Sequence, residues 1–237
     1  MSAPGPGALA TVAGALLAAR VRSIAGSVEV LGAAGARSRI EEARASFPGR
    51  KLVLFYWIED VLPMMVADVH AGGLLDAGAG EIRFACDDSL GGRVAESLLS
   101  RLGRRTLLLR WRRPAERIRD LQRILRSKEP MGIAVDGHGP YGRVGDAFPR
   151  MVESAGACAV PVAVVADRAT RVRARALLAV PRRGARIAVA VGPPIVGDAA
   201  SGGAAPFQSA LEAARDAAAR DALGAAACGA SGSLARW

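Results

Sequence analysis

Short apolar runs alternate along the chain with stretches in which apolar positions recur every three or four residues. The runs predict buried strands and the spaced patterns predict amphipathic helices. The predicted strands are Ser27–Leu31, Lys51–Trp57, Glu81–Cys86, Arg105–Trp111, Met131–Val135, Ala159–Ala166 and Ile187–Val191. The predicted helices are Ala8–Ala25, Ser38–Ala45, Val61–His70, Gly91–Leu102, Pro114–Ser127, Phe148–Ala155 and Pro206–Leu223.

This alternation of strands and helices predicts a single α/β domain with a mostly parallel central sheet flanked by helices. The domain is expected to cover residues 1–223, because no linker or repeat divides the chain, and residues 224–237 are expected to be a disordered tail. Lys51–Trp57, Met131–Val135 and Ala159–Val165 are almost continuously apolar. Strands of that kind need cover on both faces, so these three are expected to be central neighbours.

A glycine-rich loop follows the Met131–Val135 strand and carries three chemically active side chains, Asp136, His138 and Arg143. The loop also contains Gly137, Gly139, Pro140 and Gly142. Glycines allow backbone N–H groups to approach an anion, and an arginine can pair with it in a forked geometry. A tight surface turn after a buried strand explains the same residues without any ligand, and spacing alone does not decide between the two.

Two acids, Glu59 and Asp60, follow the Lys51–Trp57 strand and stand at the start of the next predicted helix. Acids at a helix start complement the helix dipole, so capping is the simplest interpretation of both. Because ligands bind beyond the carboxyl ends of parallel strands, the two acids and the glycine-rich loop are also expected to meet in one concave site.

The chain carries a formal net charge of +10, and 32 lysines and arginines include only two lysines, Lys51 and Lys128. This charge favours anionic partners such as phosphorylated ligands, anionic lipid surfaces or nucleic acid. Nucleic acid is not expected, because no recognised binding motif is present and aromatic residues are few. The arginine-rich segment Arg168–Arg186 is either a basic rim beside an anion site or a solvated connection. Three scattered cysteines fit a reducing compartment and form no metal-ligand spacing.

The apolar segment Ala8–Ala19 is too short to be expected to span a membrane. It is interpreted either as a helix packed on the core or as an amphipathic helix lying on a membrane. The expected location is the cytoplasm, with salt-sensitive peripheral attachment to an anionic membrane at the inner face of the cell membrane.

Several short motifs, in this order, resemble the lysophospholipid acyltransferase superfamily, and especially a bacterial branch catalogued as a domain of unknown function. Gly132–Gly137 with Gly139-Pro140 is similar to that branch's strand ending in Asp-Gly-Pro-Arg-Gly-Pro. The other matching pieces are Phe55-Tyr56-Trp57, Ser154-Ala155-Gly156 with Val160-Pro161-Val162, and Gly192-Pro193-Pro194-Ile195.

The resemblance implies transfer of an acyl chain from a thioester, acyl-CoA or acyl carrier protein, to the hydroxyl of a glycerophospholipid-type acceptor. It implies no cofactor and no metal. It also implies that a histidine deprotonates the hydroxyl, that an acid orients this histidine, and that the later glycine-rich motif holds the phosphate. In this sequence, Asp136, Gly137, Gly139, Pro140 and Arg143 would form that phosphate-binding loop.

The main departure from the family pattern is Ile58, which stands where the family carries its catalytic histidine. One hypothesis is an acyltransferase whose base has moved to His138, with Asp60 as its orienting acid. His70, the other histidine, lies about three turns down a helix. The alternative hypothesis is a catalytically inactive member of the fold that binds a lipid or an acyl phosphate.

Overall fold

The computed structural model describes residues 6–76, 82–109, 120, 124, 127, 129–136, 141–173, 177–196 and 203–224. Its strands are β1 (Glu29–Leu31), β2 (Leu52–Tyr56), β3 (Arg83–Asp87), β4 (Arg105–Leu109), β5 (Met131–Ala134), β6 (Cys158–Ala166), β7 (Ala169–Arg173), β8 (Leu177–Pro181), β9 (Arg186–Val191) and β10 (Ile195–Val196). Its helices are α1 (Pro6–Ala25), α2 (Ala33–Ser46), α3 (Val61–His70), α4 (Leu90–Arg101), α5 (Ala147–Ser154) and α6 (Ala205–Leu223). Short 3-10 turns at Ile58–Asp60 and Leu74–Asp76 precede and follow α3.

Eight strands form a mixed sheet in the order β1-β9-β6-β2-β5-β3-β4, with β10 paired to β6, and β7 and β8 form a separate two-stranded sheet. The strands β6, β2, β5, β3 and β4 are mutually parallel, whereas β9 and β10 run antiparallel to β6. The fold is therefore a single-domain α/β fold with a mostly parallel sheet flanked by helices, as the sequence predicts. The three strands expected to be central, β6, β2 and β5, are neighbours in the middle of the sheet.

Strand β2 shows why the centre of the sheet is covered on both faces. All five of its residues are buried, and alternate side chains belong to different apolar clusters. Leu52, Leu54 and Tyr56 pack into the cluster that includes α1, α2, α3 and α4. Val53 and Phe55 face the opposite cluster, where Phe55, Phe148 and Phe207 form a triangle of rings with centroids 5.1 to 5.6 Å apart. The strand is apolar on both faces, and each face is covered by an apolar cluster.

Local signals account for the helix ends next to the sheet. Ser89 caps α4, since its Oγ accepts a hydrogen bond from the N–H of Gly92 at 3.1 Å. Gly103 follows α4 with a φ of +79°, a left-handed conformation that glycine adopts without strain. The observed helix, Leu90–Arg101, begins and ends one residue before the predicted helix Gly91–Leu102.

Three strands, β7, β8 and β10, are absent from the prediction. The arginine-rich segment after β6 contains the antiparallel pair β7–β8, and β9 is not the last strand because β10 follows it. Most of the predicted helix Pro114–Ser127 and nearly all of the predicted tail, 225–237, lie outside the described residues.

Helix α1 is longer than predicted and packs mainly against α4 and α3. By length and mean hydropathy, 1.4 over its most apolar window, Gly7–Ala25 is the one helix of the described residues that would suffice to cross a membrane. A third of that window is buried inside the protein. Soluble core helices meet the same criterion, so length and composition alone do not assign α1 to a membrane.

Candidate functional site

The candidate site lies at the carboxyl end of the sheet, which we define as the end where the parallel strands β2, β5 and β6 finish. Asp136 is two residues beyond the end of β5, and its carboxylate reaches across to the neighbouring strand. Asp136 Oδ1 accepts a hydrogen bond from the N–H of Ile58 at 2.7 Å, directly after β2. The two segments that the sequence predicts to meet are therefore in contact.

A turn at Gly142 supplies a second backbone hydrogen bond to the Asp136 carboxylate. Its Oδ2 accepts a hydrogen bond from the N–H of Gly142 at 2.9 Å. Gly142 has a φ of +71°, a conformation that a residue with a Cβ adopts only at a cost. Asp136 is 4% exposed, and this burial raises the pKa of its carboxyl group, although the two backbone hydrogen bonds and the charge of Arg215 oppose the rise.

Asp60 is the most deeply buried acid of the site, at 1% exposure. Its side chain does not cap α3; instead Oδ2 accepts a long hydrogen bond, 3.4 Å, from the N–H of Val164 in β6. Burial raises the pKa of Asp60 to about 7, and the nearby charges of Glu59 and Asp136 contribute to the rise. The simple capping interpretation is therefore wrong for Asp60, which is instead a carboxyl group that can exchange a proton near neutral pH.

Glu59 connects the carboxylates to two arginines from distant parts of the chain. Its Oε1 accepts from Arg171 of β7 and its Oε2 accepts from Arg215 of α6, each at 2.9 Å. Burial opposes ionisation of Glu59, but the charges and hydrogen bonds of the two arginines outweigh it and hold the pKa below its usual value. Glu59 is thus a fixed anion beside Asp60, whose proton is the movable one.

Helix α6 supplies the cation that balances this acidic cluster. Burial disfavours the charge of Arg215, yet Asp60, Glu59 and Asp136 together raise its pKa above the ordinary value. Two turns earlier, Gln208 Oε1 accepts from the N–H of Val144 at 2.9 Å and Gln208 Nε2 donates to the Gly142 carbonyl at 3.1 Å. One face of α6 therefore fixes both the carboxylate cluster and the loop that holds Asp136.

The structure brings only some of the predicted site residues together. Asp60 and Asp136 belong to one carboxylate cluster, while Arg143 is exposed on the loop after Gly142. Gly137, His138, Gly139 and Pro140 lie outside the described residues, so their predicted roles stay predictions. His70 lies at the far end of α3, where its Nδ1 is 2.8 Å from the carbonyl oxygen of Ala25. A ten-residue helix, about 15 Å long, separates it from Asp60.

Sequence reasoning does not identify Arg215 and Gln208 as site residues. The stripe Phe207, Leu211, Ala214 and Ala218 marks the buried face of α6, and the two polar side chains border that stripe. The position of Arg215 beside a stripe of small apolar residues indicates a partly buried cation. The sequence does not show which part of the sheet this arginine contacts.

Comparison with known proteins adds no family assignment. The chain matches no model of a known protein family, and a search of the curated proteins finds no match either. The resemblance to the lysophospholipid acyltransferases therefore stays a prediction that depends on the quoted motifs and on the site itself.

Proposed function

We propose that this chain transfers an acyl group from a thioester donor, acyl-CoA or acyl carrier protein, to the hydroxyl group of a glycerophospholipid-type acceptor. The observation that carries the proposal is the pair Asp60 and Asp136, buried beside Ile58 at the carboxyl ends of adjacent parallel strands. Ile58 occupies the position at which the resembled family has its base. The chain thus lacks that imidazole but has proton-accepting groups next to the same point.

The reaction needs a base for the acceptor hydroxyl. As the proton leaves, the hydroxyl oxygen attacks the thioester carbonyl carbon, and the carbon–sulfur bond breaks to release a thiol that takes up the proton. His138 is the proposed base, with Asp60 as the acid that orients it. Because the pKa of Asp60 is about 7, its carboxylate is also suited to accept the proton itself.

The surrounding charges suit an acceptor that carries phosphate. Arg143 is exposed on the loop that follows Gly142, and Arg171 projects from β7 with more than half of its side chain exposed. A guanidinium group pairs with phosphate in a bidentate geometry. Arg143 is the better candidate to hold the phosphate, because Arg171 is already paired with Glu59.

The second candidate is a catalytically inactive protein that binds a lipid or an acyl phosphate in the same place. Ile58 favours it, because a hydrocarbon side chain cannot accept a proton. The paired state of Glu59 favours it as well, since two arginines hold this carboxylate as a fixed structural anion.

Acyl transfer from a labelled acyl-CoA, and from a labelled acyl carrier protein, to glycerol 3-phosphate and to lysophospholipids tests the proposal. We expect turnover by the wild type, a loss of several orders of magnitude in His138→Ala, and little change in His70→Ala. Asp146→Asn is the matched control for Asp60→Asn, because Asp146 is an exposed acid on the neighbouring loop. Full activity of His138→Ala together with loss in Asp60→Asn would make Asp60 the base. Saturable binding of acceptor without turnover by the wild type would favour the second candidate.

A further inference from the structure

An exposed apolar stripe runs along α1 on the side away from the sheet. Leu9, Val12 and Leu16 are 50%, 60% and 68% exposed, and their spacing of three and four residues aligns them on one helix face. Leu90, at the first position of α4, is 45% exposed. The opposite face of α1 is buried through Ala18, Val21 and Ile24. Single exposed leucines are common on soluble proteins, but an aligned set on one helix indicates a binding surface.

Contacts at its end anchor α1 to the rest of the protein. Ala25 meets His70 at the end of α3, and Arg22 donates a hydrogen bond to the carbonyl of Arg101 at the end of α4. Arg183, just before β9, donates a hydrogen bond to Ser23 Oγ at 2.6 Å. The exposed stripe therefore belongs to a helix whose end is fixed on the protein.

The charges around the stripe indicate what covers it. Arg20 lies one turn beyond Leu16 and Arg93 lies three residues after Leu90, and both are exposed. A second copy of the chain would bring the same arginines and a net charge of +10 against the same surface. An anionic bilayer instead offers acyl chains to the leucines and acidic headgroups to the guanidinium groups.

We propose that α1 is a docking helix that lies on an anionic phospholipid surface, with Leu9, Val12 and Leu16 inserted among the lipids. The helix does not cross the bilayer, because spanning would detach Ala18, Val21 and Ile24 from the core. The proposal concerns a surface separate from the carboxylate cluster and holds whether or not that cluster catalyses acyl transfer.

The test is co-sedimentation of the full chain with phosphatidylcholine vesicles that contain phosphatidylglycerol, without acyl donor or acceptor. We expect the wild type to bind. The double variant Leu9→Ser/Leu16→Ser should bind more weakly by about tenfold at least, because two leucines no longer enter the apolar layer. Leu223→Ser is the matched control, since this leucine is 37% exposed at the end of α6 on the other face of the sheet. It should bind like the wild type.

Two further measurements keep the result unambiguous. The unfolding midpoints of both variants should equal that of the wild type, because these side chains are exposed. Sedimentation equilibrium reports whether the stripe is a dimer interface. Unchanged binding of the double variant, or no binding of the wild type at low salt, would overturn the proposal. A wild-type dimer that the double variant dissociates, with no vesicle binding, would assign the stripe to a second copy instead.

Discussion

Replacement of Asp60 by asparagine should stabilise the protein at neutral and alkaline pH. Asparagine keeps the shape of the side chain and an oxygen that can accept the hydrogen bond from Val164, but it never carries a negative charge. In the wild type, that charge forms in a place that is 1% exposed and close to two other acids. The substitution therefore removes an electrostatic cost that the folded state bears at high pH.

The direction of the pH dependence follows from the pKa in the two states. The pKa of Asp60 is about 7 in the folded protein and takes its ordinary value near 3.8 in the unfolded chain. The folded state therefore holds the proton more tightly, and the associated stability is complete below about pH 4 and is lost as the pH rises through about 7. At about 1.4 kcal/mol per pKa unit, the loss is about 4 kcal/mol.

Urea denaturation at intervals between about pH 4.5 and 8 measures this loss. Unfolding can be followed by circular dichroism and by tryptophan fluorescence, to which Trp57, buried directly beside the site, contributes. The stability of Asp60→Asn relative to the wild type should increase by several kcal/mol across this range. Asp136 also has a raised pKa, so the variant should keep a decline of its own. Glu59 has a lowered pKa and titrates below this range.

Asp146→Asn removes an exposed acid from the same end of the sheet and should leave the pH profile of the wild type unchanged. The reasoning would be refuted if Asp60→Asn and the wild type lost stability in parallel as the pH rises. It would equally be refuted if the variant were less stable by a constant amount at every pH, since that would make Asp60 a hydrogen-bonding residue without a titration in this range.

Two more substitutions test the surroundings of the cluster. Arg215→Met should lower the free energy of unfolding by about 1–2 kcal/mol at pH 7 and by less near pH 5. The substitution leaves three acids without the cation that they share, and the effect is limited because a third of the arginine side chain is exposed. Urea titrations beside Arg220→Met, an exposed arginine on the same helix, measure it, and equal losses in the two variants would contradict the assignment. Gly142→Ala should cost about 1–2 kcal/mol, since its φ is +71° and its N–H holds Asp136. Gly145→Ala, where φ is not positive, should cost less in the same thermal unfolding experiment, and the reverse order would disprove the role of the turn.

The sequence predicts the centre of this fold well because burial on two faces leaves a plain signal. Leu52–Tyr56 and Cys158–Ala166 have no polar face, so only an interior position suits them. The same reasoning does not find β7 and β8. Arg171 and Arg173 make that segment resemble a solvated connection, although Leu178 and Val180 in β8 pack against the core.

The candidate site is only half predictable for a related reason. Asp60 and Asp136 follow strands that can be recognised, and parallel strands finish at the same end of a sheet. Arg215 comes from a helix 156 residues after Glu59, and no local pattern states which part of the sheet that helix covers. The pKa of Asp60 depends on this packing, so the sequence alone indicates an ordinary helix cap there.

The pairing of β1 with β9 has a consequence for how the chain is made. Val30 lies opposite Ile187 in a parallel pair, so 157 residues separate the two partners along the chain. At roughly 5–20 residues per second, β9 is synthesised roughly 8–30 s after β1. Arg215 emerges later still, so the carboxylates of Glu59, Asp60 and Asp136 acquire this shared cation only after α6 has been synthesised. A chain that ends before α6 would keep the pairing of Glu59 with Arg171 but would hold Asp60 and Asp136 without the charge of Arg215, which makes it a natural substrate for chaperones and proteases.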